Sequence, residues 1–504
     1  MREIGPFTYR SKWTKAPIVF EPNGTVKFRE RKTMYFVPEL SVFSDRDKSL
    51  VTVNGPLAVT LALLQKAPLV VRNVVSLGLS GISEGFFVRR SAKELLFDGY
   101  PEVLTSFGPV LNPSLPNTNG RFAWLYGKNG TDEGEFTVTT GANGPMNRIV
   151  AYNGLKEIEH WASGTECSSF QDSTDGQIVS GLKEETTERT FKLFHPDICR
   201  TIRFISERNH GHEISNESVY PFPVEKFYPE ARTLASIDEY SGNNCYSSKI
   251  TPSKPELGDL FVTMRQSQQR VPVRYPIQPF ATSRNGRLYF KSGVFDLSTC
   301  KYGAPILMSY PHFLHANPAY RENVAGMVPD PEKHQFYMKI EPKTGTSIQS
   351  RARVQINVFI SKPPWISRYR FIPEIVFPVF WQELSADVSQ RLLDRVAFAL
   401  TTPYTCADIF SILLIISGLI LIFVNIFSAI LPNSIHKKNS TIDPFVQIAK
   451  TKSTLSDSMS MQNLSRKAIF TPNAPEYEHP TRGVDNLAMS SIEDECFPNS
   501  ERSI

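Results

Sequence analysis

The sequence predicts an α+β protein: a large strand-rich part facing away from a membrane, one membrane-spanning helix after it, and a disordered tail. Three observations carry this. The 504 residues hold 37 prolines and 34 phenylalanines, a composition of many short strands and irregular loops rather than long helices. Arg353–Ile360 (RVQINVFI) sets Val354, Ile356, Val358 and Ile360 against polar partners, the period-two pattern of a strand. Ile409–Leu431 (IFSILLIISGLILIFVNIFSAIL) carries no charge and a single amide, Asn425. As a helix it rises about 34 Å, enough for a hydrocarbon core of roughly 30 Å. Core helices of soluble proteins rarely stay apolar on every face for so long.

The span sorts the chain by compartment. Lys437 and Lys438 follow it and Asp408 precedes it, so the positive-inside rule puts residues 433–504 in the cytosol. Residues 1–403 then face the lumen or the outside, with 404–432 as juxtamembrane and transmembrane segment. The 55 basic and 50 acidic residues are evenly spread and leave a net charge of +5, which points away from a nucleic-acid partner.

Along the luminal part, Thr25–Arg29 and Thr33–Val37 read as paired strands. Leu57–Leu64 and Pro68–Leu79 read as short apolar helices, but Lys66 and Arg72-Asn73 interrupt them, so neither crosses a membrane. Ser91 caps a helical turn through Leu96. Leu125–Gly141 (LYGKNGTDEGEFTVTTG) has the glycines and acids of an ion-binding loop without its order. Gly127-Lys128 comes before the turn and opens no helix, and Asp132, Glu133 and Glu135 lack calcium-loop spacing. An Asn-Gly step before β-branched residues makes it a solvated turn leading into a strand. From Arg121 onward strand signals dominate. Ser385 caps a helix through Leu400, with Val388, Leu392, Val396 and Ala399 on one apolar stripe leading to the membrane. Beyond Pro432 the serine-rich tail has few large apolar residues and reads as disordered.

Asn23, Asn129 and Asn216 are glycosylation acceptors on the luminal side, whereas the matches at Asn439 and Asn463 are cytosolic. Cys167, Cys199, Cys245 and Cys300 are luminal, and their even number suggests two bridges with three connectivities open. Their spacings are too wide for a zinc ribbon. Cys406 and Cys496 read as free thiols. No metal or cofactor is expected.

Catalytic matches are incomplete. Gly81–Gly85 (GISEG) fits the nucleophile elbow around Ser83, but helical sequence precedes it and extended sequence follows, the reverse of a strand-to-helix elbow. His312 with His315, and His210 with His212, lack the helical spacing and intervening glutamate of a metalloprotease. The sequence does not argue for an enzyme.

Six blocks then occur in a telling order: EIGPFTYR (Glu3–Arg10), ELLFDGY (Glu94–Tyr100), KNGTDEGE (Lys128–Glu135), FHPDICR (Phe194–Arg200), GAPI followed by PHF (Gly303–Ile306, Pro311–Phe313), and IEPKTG (Ile340–Gly345). Together they resemble the signature segments of the class B scavenger receptors. The resemblance implies a membrane hairpin whose ectodomain is an antiparallel β-barrel with a lipid tunnel, capped by an apical helical bundle. It places Leu57–Leu79 in the apical helices and Arg353–Ile360 in a barrel strand. It also implies that this chain begins inside the ectodomain, past an N-terminal anchor, which accounts for the lack of a signal core at Met1–Trp13.

The same resemblance pairs Cys167 with Cys245 and Cys199 with Cys300. A third bridge of many members has no counterpart, because Ser247 stands where one of its cysteines would fall. Ligand access is implied at the apex, near Val75, Leu77 and Leu79. The apical lysines and histidine that hold ligands in some members have no clear match in Val75–Gly85, which leaves the ligand open. Implied partners are lipids, fatty acids or sterols, lipoprotein particles, the membrane and protein ligands. The implied function is a plasma-membrane scavenger receptor passing hydrophobic cargo toward the bilayer. The alternative is an endolysosomal sorting receptor for a luminal protein, weakened by the lack of an acidic dileucine signal between Pro432 and Ile504.

Overall fold

The computed structural model describes residues 1–64, 67–81, 85–111, 115, 118–182, 189–207, 220–246, 281–284, 287–360, 369, 372–430 and 482–491. It divides into two units, Met1–Val396 with His479–Ile504, and Ala397–Glu478.

A fourteen-stranded sheet organises the first unit. Its main path runs through Ile149–Tyr152, Thr131–Thr139, Thr25–Phe36, Arg2–Phe20, Arg482–Ser491 and Ile375–Asp387. It continues through Ser347–Ile360, Tyr337–Ile340, Glu225–Pro229, Arg200–Ser206, Thr190–His195 and Ser173–Thr174. Neighbours are antiparallel up to the final pair, which is parallel. Ile306–Ser309 also pairs with Ser347–Ile360 and carries Val294–Asp296.

The predicted barrel is not closed by a backbone ladder. Among the described residues, the end strands Ile149–Tyr152 and Ser173–Thr174 do not pair with each other. Asp172 (φ 60°) and Gly176 (φ 86°) leave the extended region on either side of the Ser173–Thr174 strand, so no ladder propagates there. Side chains bridge the gap instead. Asn147 Nδ2 lies 2.6 Å from Asp175 Oδ1 and 3.0 Å from Thr174 Oγ1, and Arg148 donates to Asp172 O at 2.8 Å and Ser180 O at 2.6 Å. The sheet is strongly curled, because Phe28 and Phe136 near one end share a buried cluster with Phe170 and Phe194 near the other.

Three further expectations change. Thr25–Arg29 and Thr33–Val37 are halves of one strand, Thr25–Phe36. The charged run between them stays extended because its charges find partners. Lys32 Nζ meets Glu133 at 2.7 Å and lies 4.2 Å from the Trp13 ring, and Glu30 meets Lys15 at 3.8 Å. Ser385 caps no helix. It pairs with Arg351 within Ile375–Asp387, and the helix starts only at Gln390, after Ser389 O accepts from the Leu392 and Leu393 amides. Finally, part of the expected disordered tail is a strand. Arg482–Ser491 lies between Arg2–Phe20 and Ile375–Asp387, where it satisfies the backbone groups of two facing strand edges.

Two apolar helices sit beside the sheet's core. In α1 (Gly55–Leu64), Leu57, Ala58, Leu61 and Leu64 are all buried, and Asn54 Oδ1 caps it by accepting from Leu57 N at 3.0 Å. Gly55 has no alternative, since a Cβ there would lie 2.8 Å from the Phe122 ring. α2 (Leu69–Gly81) follows directly, and α3 (Val103–Leu111) closes the group. The turn predicted at Ser91 forms with a reciprocal cap: Ser91 N donates to Glu94 Oε2 at 2.9 Å and Glu94 N to Ser91 Oγ at 3.3 Å. Two single-turn helices, α4 (Ala319–Glu322) and α5 (Pro331–His334), lie between later strands.

The second unit is dominated by α6 (Gln390–Ile430), which runs unbroken through Pro403. It is long and apolar enough to cross a membrane, and none of its most apolar window is buried. Its polar side chains bond back to its own carbonyls: Asn425 Nδ2 to Leu421 O at 2.8 Å, Ser417 Oγ to Leu414 O at 2.9 Å and Thr405 Oγ1 to Thr401 O at 3.0 Å. A helix so satisfied internally asks nothing of its surroundings, as hydrocarbon requires.

Candidate ligand-docking surface

α2 is held by one side and bare on the other. Arg72 Nε donates to Leu64 O at 3.1 Å and Ala67 O at 3.0 Å, tying its first turn to the end of α1. Leu79, 1% exposed, and the half-buried Val75 pack with Leu57, Leu61, Leu64, Leu104 and Tyr369. On the opposite side Val70, Val74 and Leu77 are 74%, 66% and 78% exposed, with Leu69 and Val71 beside them. Their spacing of four and three residues is one helical face. Gly78 adds flat backbone, with nothing within 4 Å of where its Cβ would be.

The three residues predicted at this apex therefore part company. Val75 and Leu79, four apart, face inward as anchors, and only Leu77 belongs to the exposed stripe. Val70 and Val74 complete that stripe and escape sequence reasoning, because a segment apolar all round does not reveal which side has a neighbour. A contiguous apolar face left in water marks a surface that gains free energy by meeting apolar matter.

A second cluster gathers around His312. Its Nδ1 accepts from Val328 N at 3.0 Å, so Nε2 carries the proton and donates to Glu3 Oε2 at 2.8 Å. Trp381 Nε1 donates to the other Glu3 oxygen at 2.8 Å. Burial raises the Glu3 carboxyl, but the hydrogen bonds from His312 and Trp381 outweigh it and hold Glu3 below its ordinary range. His334 stacks on His312, and its Nδ1 accepts from Asp330 N at 2.9 Å. His315 turns away to Gln335 Oε1 at 2.6 Å, so the sequence pair His312 and His315 forms no joint site.

Residues 1–429 match the CD36 family. The chain belongs to that family. It is 26% identical over 399 residues to scavenger receptor class B member 1 of Mus musculus, covering 78% of this chain and 67% of that protein. It is 27% identical over 418 residues to lysosome membrane protein 2 of Mus musculus, covering 81% of this chain and 74% of that protein. The human lysosome membrane protein 2 gives 27% over 412 residues, with the same coverage.

The remaining candidate residues of this CD36-family chain fall in several places. Cys167 is bridged to Cys245 and Cys199 to Cys300. His160 lies close to Cys199 and Cys300, but their sulfurs are joined to each other and are not thiolate ligands. Cys406 is an exposed free thiol. Asn23 sits exposed in the turn between Arg2–Phe20 and Thr25–Phe36. Asn129 is exposed too, and its amide mimics a strand residue: Oδ1 accepts from Met34 N at 2.8 Å and Nδ2 donates to Met34 O at 3.1 Å. One Nδ2 hydrogen is left for a glycan bond. Ser83, His210, His212, Asn216, Ser247 and Cys496 lie outside the described residues. The elements flanking Ser83 are α2 and the Phe87–Ser91 strand, a helix-to-strand order that does not build a nucleophile elbow.

Proposed function

We propose that this chain is a membrane receptor of the scavenger type that captures lipids or lipid-bearing particles on the exposed face of α2. Hydrophobic cargo then passes through the ectodomain toward the bilayer, with α6 as the span and the C-terminal tail in the cytosol. The observation carrying this reading is the Val70, Val74 and Leu77 stripe in a chain of the CD36 family. No covalent chemistry is invoked. Each CH₂ moved out of water contributes about 0.8 kcal/mol, so an acyl chain is held by apolar lining and shape. Asn23 and Asn129 take glycans on the luminal side, and the plasma membrane is the favoured location.

A second reading, a receptor of the endolysosomal membrane, is favoured by the likeness to lysosome membrane protein 2. Uptake of fluorescent phospholipid from vesicles by the purified full chain tests the main reading. Val74→Asp with Leu77→Asp is expected to cut uptake at least tenfold with both disulfides intact. Undiminished uptake by that double variant removes α2 as the docking face.

A further inference from the structure

Arg200 opens the Arg200–Ser206 strand directly after the bridged Cys199, and it is only 5% exposed. A guanidinium cannot escape burial by losing its proton, so its surroundings must supply compensation. What they supply is partial. The group lies 4.0 Å from the Tyr246 ring centroid and 4.5 Å from that of Phe295, and one terminal nitrogen donates to Asn243 Oδ1 at 3.1 Å. Asn243 is held in turn, donating to Arg232 O and Ala235 O at 2.8 Å each. Nε has no hydrogen-bond partner, and among the described residues no carboxylate forms an ion pair with Arg200. Two ring faces, a neutral amide and the neutral Tyr246 hydroxyl leave a buried positive charge without a counter-charge.

Arg200 also lines a cavity of about 60 Å³, with Thr233, Ser236, Tyr289 and Asp296 among the other walls. One ordered water needs roughly 10–15 Å³ of such volume, so the space takes a group of a few heavy atoms and not an acyl chain. Asp296 does not neutralise the arginine. Its Oδ1 accepts from Ser298 N at 2.8 Å, and the groups acting on Arg200 are the hydroxyls of Tyr246 and Tyr310.

We infer that this cavity is a binding site for a small oxyanion, with a carboxylate as the best fit, held by the Arg200 fork through the free Nε–H. Planar two-oxygen acceptors match a guanidinium edge in geometry and charge. The carboxylate belongs either to a free small anion or to the head of a short fatty acid whose chain leaves through the cavity mouth. The inference does not depend on the role given to α2.

The test is thermal unfolding of the full chain in lipid nanodiscs, titrated with sodium acetate or sodium octanoate against sodium chloride at constant ionic strength. A saturable rise in Tm with acetate is expected, at least tenfold weaker in Arg200→Lys, which keeps the charge but not the fork, and absent in Arg200→Met. A rise with octanoate but not acetate assigns the site to a lipid head, and a rise with acetate alone to a free anion. Should Arg200→Met fail to fold, Arg200→Lys decides, together with saturation-transfer NMR of acetate on the unmodified chain. No saturable shift and no saturation transfer with either anion, or an equal shift in Arg200→Lys, overturns the proposal and leaves Arg200 a packing residue.

Discussion

His312 and His334 lie ring on ring, with centroids 4.2 Å apart and planes 11° apart, and each Nδ1 accepts a backbone N–H from the segment between them. The pair pins Val328–Asp330 to the sheet only while both rings keep Nδ1 unprotonated. Glu3, Asp330, Arg353 and His312 are the charged or titratable groups facing His334. Burial first, and then His312, push the His334 imidazole down to about 4. The unfolded ring takes a proton below its ordinary 6.5 while the folded ring stays neutral, so stability is lost as pH falls from 6.5 toward 4. At pH 5 the loss from this ring is about 2 kcal/mol. Glu3, held low, acts in the same direction, because its stabilisation also fades as the carboxylate protonates. Urea unfolding between pH 7 and 4.5 is expected to lose close to one proton's worth of pH dependence in His334→Gln. Parallel curves for the two proteins would refute the assignment.

The two faces of α2 predict opposite responses to truncation. Leu79→Ala removes a side chain 1% exposed and is expected to cost about 2–5 kcal/mol. Leu77→Ala, on the 78%-exposed side, is expected to change stability by less than about 0.5 kcal/mol. Denaturant midpoints of the two variants check this. A large loss from Leu77→Ala means that the stripe is covered by protein in the folded chain.

Gly55 offers a sharper packing test. A Cβ at this position meets the Phe122 ring at 2.8 Å and the Trp124 ring at 3.0 Å. Alanine is the better helix former, yet here it forces two edge-to-face aromatics to shift, so Gly55→Ala is expected to destabilise by about 1–3 kcal/mol. A stabilised variant would show that α1 sits farther from those rings.

These residues also show what the sequence made legible. α1 and α2 stood out as apolar runs interrupted by Lys66 and Arg72-Asn73, and the turn at Ser91 stood out by its capping residue. The exposed stripe did not, since exposure depends on neighbours contributed by distant segments. Strand Thr25–Phe36 was hidden by Glu30 and Lys32, charges that read as a turn until Lys15 and Glu133 are in place. In Ser347–Ile360 the polar alternates Arg353, Gln355 and Asn357 are buried, whereas Val354 and Ile356 are only half-buried. Gln355 and Asn357 are satisfied by Ser309 and by each other, with Gln355 Nε2 2.8 Å from Asn357 Oδ1. Alternation announced a strand but not which face met the core.

The strand Arg482–Ser491 and the membrane span make competing claims on the tail. The strand pairs with Arg2–Phe20 and Ile375–Asp387, which belong to the part of the chain that holds the acceptor sequences at Asn23 and Asn129. A helix inserted as Gln390–Ala429 carries everything after it across the bilayer, out of reach of that sheet. The two arrangements exclude each other in one molecule. Lys437 and Lys438 just beyond the helix favour insertion with the tail in the cytosol, where the basic residues are retained. An epitope fused after Ile504, expressed in cells, is then expected to be stained by antibody only after permeabilisation, whereas one inserted beside Asn23 is stained without it. In detergent-free solution, where α6 is not inserted, the backbone amides of Arg2–Phe20 and Ile375–Asp387 that face Arg482–Ser491 are expected to exchange faster when residues 482–491 are deleted. Surface staining of the C-terminal epitope on intact cells would instead show that Arg482–Ser491 stays in the sheet and that α6 does not span.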